Sequence, residues 1–119
     1  MLRFEKLDVW HRVVDFADSV YSVTRRFPSD ERFGLTSQMR RASVSVSSNI
    51  AEGSGRVSGK DFARFIEIAY GSVMDVVSQA EIARRQDFLS SEDCNQLKQG
   101  AEELSRMLSG LRNKLLSSS

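Results

Sequence analysis

The placement of helix breakers constrains this chain most. Its one proline is Pro28, and three of its glycines gather at Gly53, Gly55 and Gly59. Ser90-Ser91 marks a third break. Between these points lie four segments of helical length, at about 4–26, 33–54, 59–86 and 91–116. Phe27-Pro28 closes the first, because the residue before proline avoids the α region. In the first segment Leu7, Trp10, Val13, Val14, Ala17, Val20, Tyr21 and Val23 recur mostly at steps of three and four, as one helix face requires. Val9 falls outside that stripe and is expected to be exposed.

The second segment is rich in serine, a mediocre helix former, so packing must hold it more than propensity does. Ser29, Asp30 and Thr36 are all candidate caps for its start. Val44 to Ser48 alternates like a strand but has helical periodicity on both sides and reads as helix. Ser58 with Asp61, and Ser90 with Asp93, make capping signals for the last two helices. Phe62, Phe65, Ile66, Ala69, Val73, Val76, Val77, Ala80 and Ala83 mark the third core face. Cys94, Leu97, Ala101, Leu104, Leu108, Leu111 and Leu115 mark the fourth. Short connections between long helices favour antiparallel neighbours. The expected fold is all-α, an antiparallel up-down-up-down four-helix bundle, as one domain over 1–119, with the terminal serines frayed.

Bulk properties narrow the function. Net charge is +1, too near neutral for nucleic-acid binding by overall charge, so a local patch would have to do that work. A single cysteine, Cys94, forbids an internal disulfide, fits a reducing compartment and belongs to the core stripe. One histidine, His11, and that one cysteine cannot build the usual zinc sites. No apolar run approaches the roughly 20 residues of a membrane helix. The chain reads as soluble and cytoplasmic, with no cofactor, metal, membrane or small-molecule partner expected.

Wound at about 100° per residue, the second helix carries two stripes. Leu35, Met39, Ala42, Val46, Ile50 and Gly53 form an apolar one. Gln38, Arg41, Ser45, Asn49 and Glu52 form a polar one beside it, which Arg56 joins if the helical path continues past Gly53. Two readings stand open: a solvated face, or a satisfied polar network at a helix–helix or subunit contact. Val44 points away from both.

The segment GLTSQMRRASVSVSSNIAEGSGR, followed by FIEIAYGSVMDVVSQAEIA, resembles the bacterial four-helix-bundle proteins linked to ribosomal-RNA intervening sequences. Their pattern reads G-L-x-x-Q-x-R-R-A-x-x-S-I-P-S-N-I-A-E-G, then a phenylalanine-rich helix start, then A-x-G-S. Gly34, Leu35, Gln38, Arg40, Arg41, Ala42, Ser45, Ser48, Asn49, Ile50, Ala51, Glu52 and Gly53 match it, as do Phe62, Phe65, Ala69, Gly71 and Ser72. Leu7, Val9, Trp10 and Phe27-Pro28 resemble the family's opening helix and first turn. Ser47 stands where proline is usual, which should straighten the helix and restore a backbone donor. The resemblance implies a ring-forming bundle, commonly a homopentamer, without established catalysis. Some members are encoded within intervening sequences, and a similar fold accompanies a reverse transcriptase and RNA in diversity-generating retroelements.

Candidate nucleic-acid contacts are Arg25, Arg26, Arg40, Arg41, Arg56, Lys60, Arg84 and Arg85, with Arg112 and Lys114 as a further pair. The alternative is ordinary solvated or salt-bridged surface, as Glu81 with Arg85 at i, i+4 would be. Repetition in an oligomer would multiply any weak patch. An enzyme would need a base, nucleophile or metal. Glu5, Asp8 and His11 lie close in sequence, as do His11 and Asp15, but no paired Glu-x-x-His motif exists. Glu52 has no second carboxylate or histidine at a defined spacing. The expected role is therefore a non-enzymatic, self-associating bundle that binds RNA or a nucleic-acid-processing partner, with a plain protein-interaction scaffold as the alternative and an unrecognised enzyme as a distant third.

Overall fold

The computed structural model describes residues 1–117 and shows four α-helices: α1 (Asp8–Thr24), α2 (Leu35–Ser54), α3 (Gly59–Arg85) and α4 (Ser91–Ser117). They pack up-down-up-down, each against its two neighbours around a square, in a body 46 × 21 × 21 Å. No strand occurs among the described residues, and VSVSS lies inside α2. Of the three terminal serines expected to fray, Ser117 is the last residue of α4, its hydroxyl donating to the Lys114 carbonyl, and Ser118 and Ser119 lie outside the described residues.

The first helix departs from its expected course. Arg3–Lys6 forms a separate 3-10 turn and Leu7 is extended (φ −91°, ψ 123°), so α1 begins only at Asp8. The break lets Phe4 fold back on Trp10, ring centroids 4.9 Å apart. Arg3 ties the turn to the end of α2 by donating to the Ser54 carbonyl, and its guanidinium lies over Phe62. The buried face of α1 is Val9, Val13, Phe16, Val20, Val23 and Thr24. Val9, expected outside, is 5% exposed. Trp10, Val14, Ala17 and Tyr21 sit at the margins, half-buried. The apolar pattern of α1 is wide enough to hold two adjacent stripes, and contact with α4 selects the one containing Phe16.

On α2 the core face is rotated toward its hydroxyls. Thr36, Met39, Ser43, Val46, Ile50, Gly53 and Ser54 are buried, while Leu35 and Ala42 are half-buried. A buried hydroxyl is tolerated where it is bonded. Ser43 donates to the Arg40 carbonyl (2.9 Å) and Ser54 to the Ala51 carbonyl (2.7 Å), each on its own helix. The α2 start uses none of the expected caps. Gly34 is the N-cap residue, and the Glu31 carboxylate accepts from the Leu35 amide at 3.1 Å. The helix runs unbroken through Ser47, whose hydroxyl donates to the Val44 carbonyl.

The later caps form as their signals indicate. Ser58 accepts from the Asp61 amide and Ser90 from the Asp93 amide. The α3 C-terminus ends in a Schellman arrangement. Asp87 is left-handed (φ 62°), its amide donates to the Arg84 carbonyl, and the Phe88 amide donates to the Ala83 carbonyl. Phe88 then packs beside Phe27, ring centroids 5.9 Å apart, so the α1–α2 and α3–α4 connections meet at one end.

Candidate interaction surfaces

The α2–α3 seam is set by one close approach. A Cβ at Gly53 would lie 2.7 Å from the Phe65 Cβ, so only glycine lets these backbones come together there. From that point the antiparallel register carries Ser45 to Ser72, whose hydroxyls are 3.0 Å apart. Asn49 Nδ2 donates to the Ser45 carbonyl (2.8 Å) and hydroxyl (3.1 Å). Part of the polar stripe thus forms a small network bridging α2 to α3. The third member, Ser72, matched the family pattern in the sequence but was not assigned to this network, because a serine within an apolar-periodic helix carries no signal of its partner.

The remaining stripe residues divide. Glu52 pairs with Arg56 (3.2 Å) beyond the helix end, and the Arg56 guanidinium lies 4.6 Å from the Phe65 ring centroid. Gln38 and Arg41 are exposed and make no side-chain bond among the described residues. The same register sets Gln38 about level with Gln79 on α3, whose Oε1 is buried without a partner. On the outward side of α3, beside this seam, Ile68, Gly71, Asp75, Ser78 and Ile82 are all exposed and spaced by threes and fours.

The candidate cations sort by their neighbours. Arg84 and Arg85 both bond to Glu81 (2.7 and 3.0 Å), and Lys98 from α4 reaches the same carboxylate at 3.1 Å. Those bonds, from Arg84 first, hold the Glu81 carboxyl well below the usual range, and Glu81 in turn raises Arg84. Arg26 pairs with Asp93 and Arg112 with Glu67. Lys60 is exposed at the start of α3. Among the described residues Arg25, Arg40 and Arg41 have no carboxylate partner, and all three line grooves shared by one residue, Tyr21. Arg40 is held by contacts to α1: its Nε donates to Thr24 Oγ1 (2.9 Å), and its guanidinium lies 4.6 Å from the Tyr21 ring centroid. Neither Tyr21 nor Thr24 stood out in the sequence as a partner of Arg40.

The residues weighed for catalysis do not assemble. His11 Nε2 sits 2.6 Å from the Glu5 carbonyl and its ring meets the edge of Trp10, so it pairs with neither Asp8 nor Asp15. The Glu5 carboxylate accepts from the Leu2 amide. Cys94 is fully buried, with its thiol 3.8 Å from the Ala80 carbonyl. Among the described residues no three His, Cys, Asp or Glu side chains converge as metal ligands, and no helix is long and apolar enough to cross a membrane.

Residues 5–110 match the model of a family described as 23S rRNA-intervening sequence protein. A similar solved structure is a protein of unknown function from the S23 ribosomal protein family of Bacteroides thetaiotaomicron. It is 19% identical, has a TM-score of 0.80, and the match covers 87% of this chain and 97% of that one. This likeness concerns the fold. No curated protein matches the sequence. Neither description attaches an enzymatic activity.

Proposed function

The chain belongs to the 23S rRNA-intervening sequence protein family, and from that premise we propose that it is a non-enzymatic, self-associating helical scaffold that binds RNA in the cytoplasm. One observation carries the self-association. The outer face of α3 repeats a helical contact pattern, Ile68–Gly71–Asp75–Ser78–Ile82, that none of the described residues covers. Ile68 and Ile82 are 48% and 49% exposed, and Gly71 and Ser78, on either side of Asp75, are small enough to allow close helix approach. The neighbouring seam adds a buried Gln79 oxygen that still lacks a donor.

The test is the mass of the native protein in solution, compared with the 13.4 kDa of one chain. The scaffold runs as a multiple of that mass, and a double variant Ile68→Glu, Ile82→Glu runs as one chain with its helical circular dichroism retained. A wild-type protein that stays a monomer at micromolar concentration would falsify self-association. RNA as the bound partner is favoured over a plain protein scaffold by the arginines around Tyr21, which bond to no carboxylate among the described residues.

A further inference from the structure

We infer that the α1–α2 face around Tyr21 is a phosphodiester-binding site that grips the RNA backbone without reading its bases. The inference rests on the RNA reading above and gives it a place and a chemistry. Three arginines line the two grooves that share Tyr21: Arg25 just past the end of α1, and Arg40 and Arg41 on α2. Tyr21 lines both shallow grooves of this face, with Arg25 and Ser47 along one and with Arg40, Arg41, Ser45 and Ser48 along the other.

Arg40 is the organised member. Thr24 Oγ1 donates to the Val20 carbonyl (2.7 Å) and accepts from Arg40 Nε (2.9 Å), so its hydrogen-bonding roles are fixed. The Tyr21 ring supports the guanidinium from one side, by a cation–π contact. What remains are the two Nη groups, unbonded among the described residues. A guanidinium fixed at Nε and supported by the ring offers those groups as a ready fork for phosphate oxygens, at little further entropic cost. Arg25 and Arg41 flank it as exposed charges with no ion pair among the described residues, and the exposed Ser48 hydroxyl can donate to a further phosphate oxygen.

The same geometry argues against base reading. Arg40 already occupies one face of Tyr21, so the ring acts as a support for the cation and not as a platform for bases. The one carboxylate lining this face, Asp18, is bonded to none of the three arginines. It limits the site without neutralising it.

The experiment measures binding of fluorescein-labelled oligouridylate and oligocytidylate, each of about 20 nucleotides, to the full chain across a salt series. Each phosphate neutralised on a single strand adds about 0.7 to the slope of log affinity against log salt, so three arginines supply about 2 per protomer. Wild-type protein should bind both oligonucleotides within about twofold of each other. Arg25→Gln, Arg40→Gln, Arg41→Gln together should remove about 2 from the slope and lower affinity at least about 20-fold at low salt. Tyr21→Leu should weaken binding while leaving the slope intact, since it removes the support and not the charge. Tyr21→Phe should bind as wild type. Helical content and solution mass are measured for every variant. A triple variant that is folded and binds as tightly as wild type overturns the site, and so does a strong base preference. A protein that is monomeric yet loses RNA with the triple variant keeps this site and loses the scaffold.

Discussion

Arg84-Arg85 on α3 and Arg40-Arg41 on α2 are both pairs of adjacent arginines in the half of the bundle near the α1–α2 and α3–α4 connections. Their surroundings are opposite. The α3 pair folds onto Glu81, which also takes Lys98 from the next helix, so one carboxylate faces three cations. Among the described residues the α2 pair bonds to no carboxylate. Arg40 is braced by a hydroxyl and a ring, and Arg41 is left open. The α3 cluster fastens α3 to α4 through Lys98. The α2 cluster adds braced but unneutralised charge to a surface. Arginine count therefore says little about where an anion binds. The carboxylate within reach decides, because an ion pair already made must be broken or shared before a phosphate can use its cation.

Three changes test that contrast in descending size. Reversing the open cluster with Arg25→Glu, Arg41→Glu should lower oligouridylate affinity by about 100-fold, two charge-assisted contacts at about tenfold each. Titration of labelled oligonucleotide at low salt measures it, and a loss under about threefold would erase the distinction between the clusters. Glu81→Gln should do the reverse. It frees Arg84, Arg85 and Lys98 in place, and affinity should rise by about fivefold with a steeper salt slope. Unchanged affinity would mean that geometry, and not pairing, silences the α3 cluster. Arg84→Gln, Arg85→Gln in the otherwise wild-type chain should change binding by less than about twofold, because those charges are already taken.

The Glu81 cluster also has a pH signature. The Glu81 carboxyl lies below the ordinary carboxylate range when folded. A depressed folded value contributes stability that is present above the unfolded value and lost as pH falls toward the folded one. The difference in melting temperature between wild type and Glu81→Gln should thus stay flat from about pH 8 to about pH 5 and shrink only below the usual carboxylate range. A difference that vanished near neutrality would show that Glu81 is not what holds Lys98.

Much of this contrast was outside the reach of the sequence, for physical reasons. The helices were legible because breakers and apolar spacing act locally: Pro28, the Gly53–Gly59 cluster and the Ser58 and Ser90 caps fall where the structure turns. The Glu81–Arg85 pair was legible too, being one helical turn apart. Leu7 was not, since a single extended residue between two helical turns leaves the apolar spacing nearly unchanged. Nor was the choice between two adjacent apolar stripes on α1, which depends on α4 and sent Val9 inward. Ser43 in the core and Ser72 in the seam could not be told from surface serines, because their satisfaction depends on a carbonyl or hydroxyl placed by folding. The bracing of Arg40 by Tyr21 and Thr24 is a meeting of α1 with α2 that no spacing within either helix encodes.

The smallest expected effect lies at the end of α3, next to the saturated cluster. Asp87 adopts a left-handed conformation to close the helix, which costs a side-chain-bearing residue about 1–2 kcal/mol relative to glycine. Glycine gives back part of that through the greater freedom of its unfolded chain. Asp87→Gly should therefore stabilise the protein by about 0.5–1 kcal/mol, read from denaturant midpoints at unchanged slope. The Asp87 carboxylate also contributes to the negative field at the Arg84 guanidinium, whose side-chain bonds go to Glu81. Its removal should leave RNA affinity within about twofold of wild type, since Glu81 still takes Arg84. A larger gain in binding would mean that the α3 cluster is silenced by the summed field of nearby carboxylates and not by the Glu81 bonds, which would move the contrast between the two arginine pairs from contact to long-range charge.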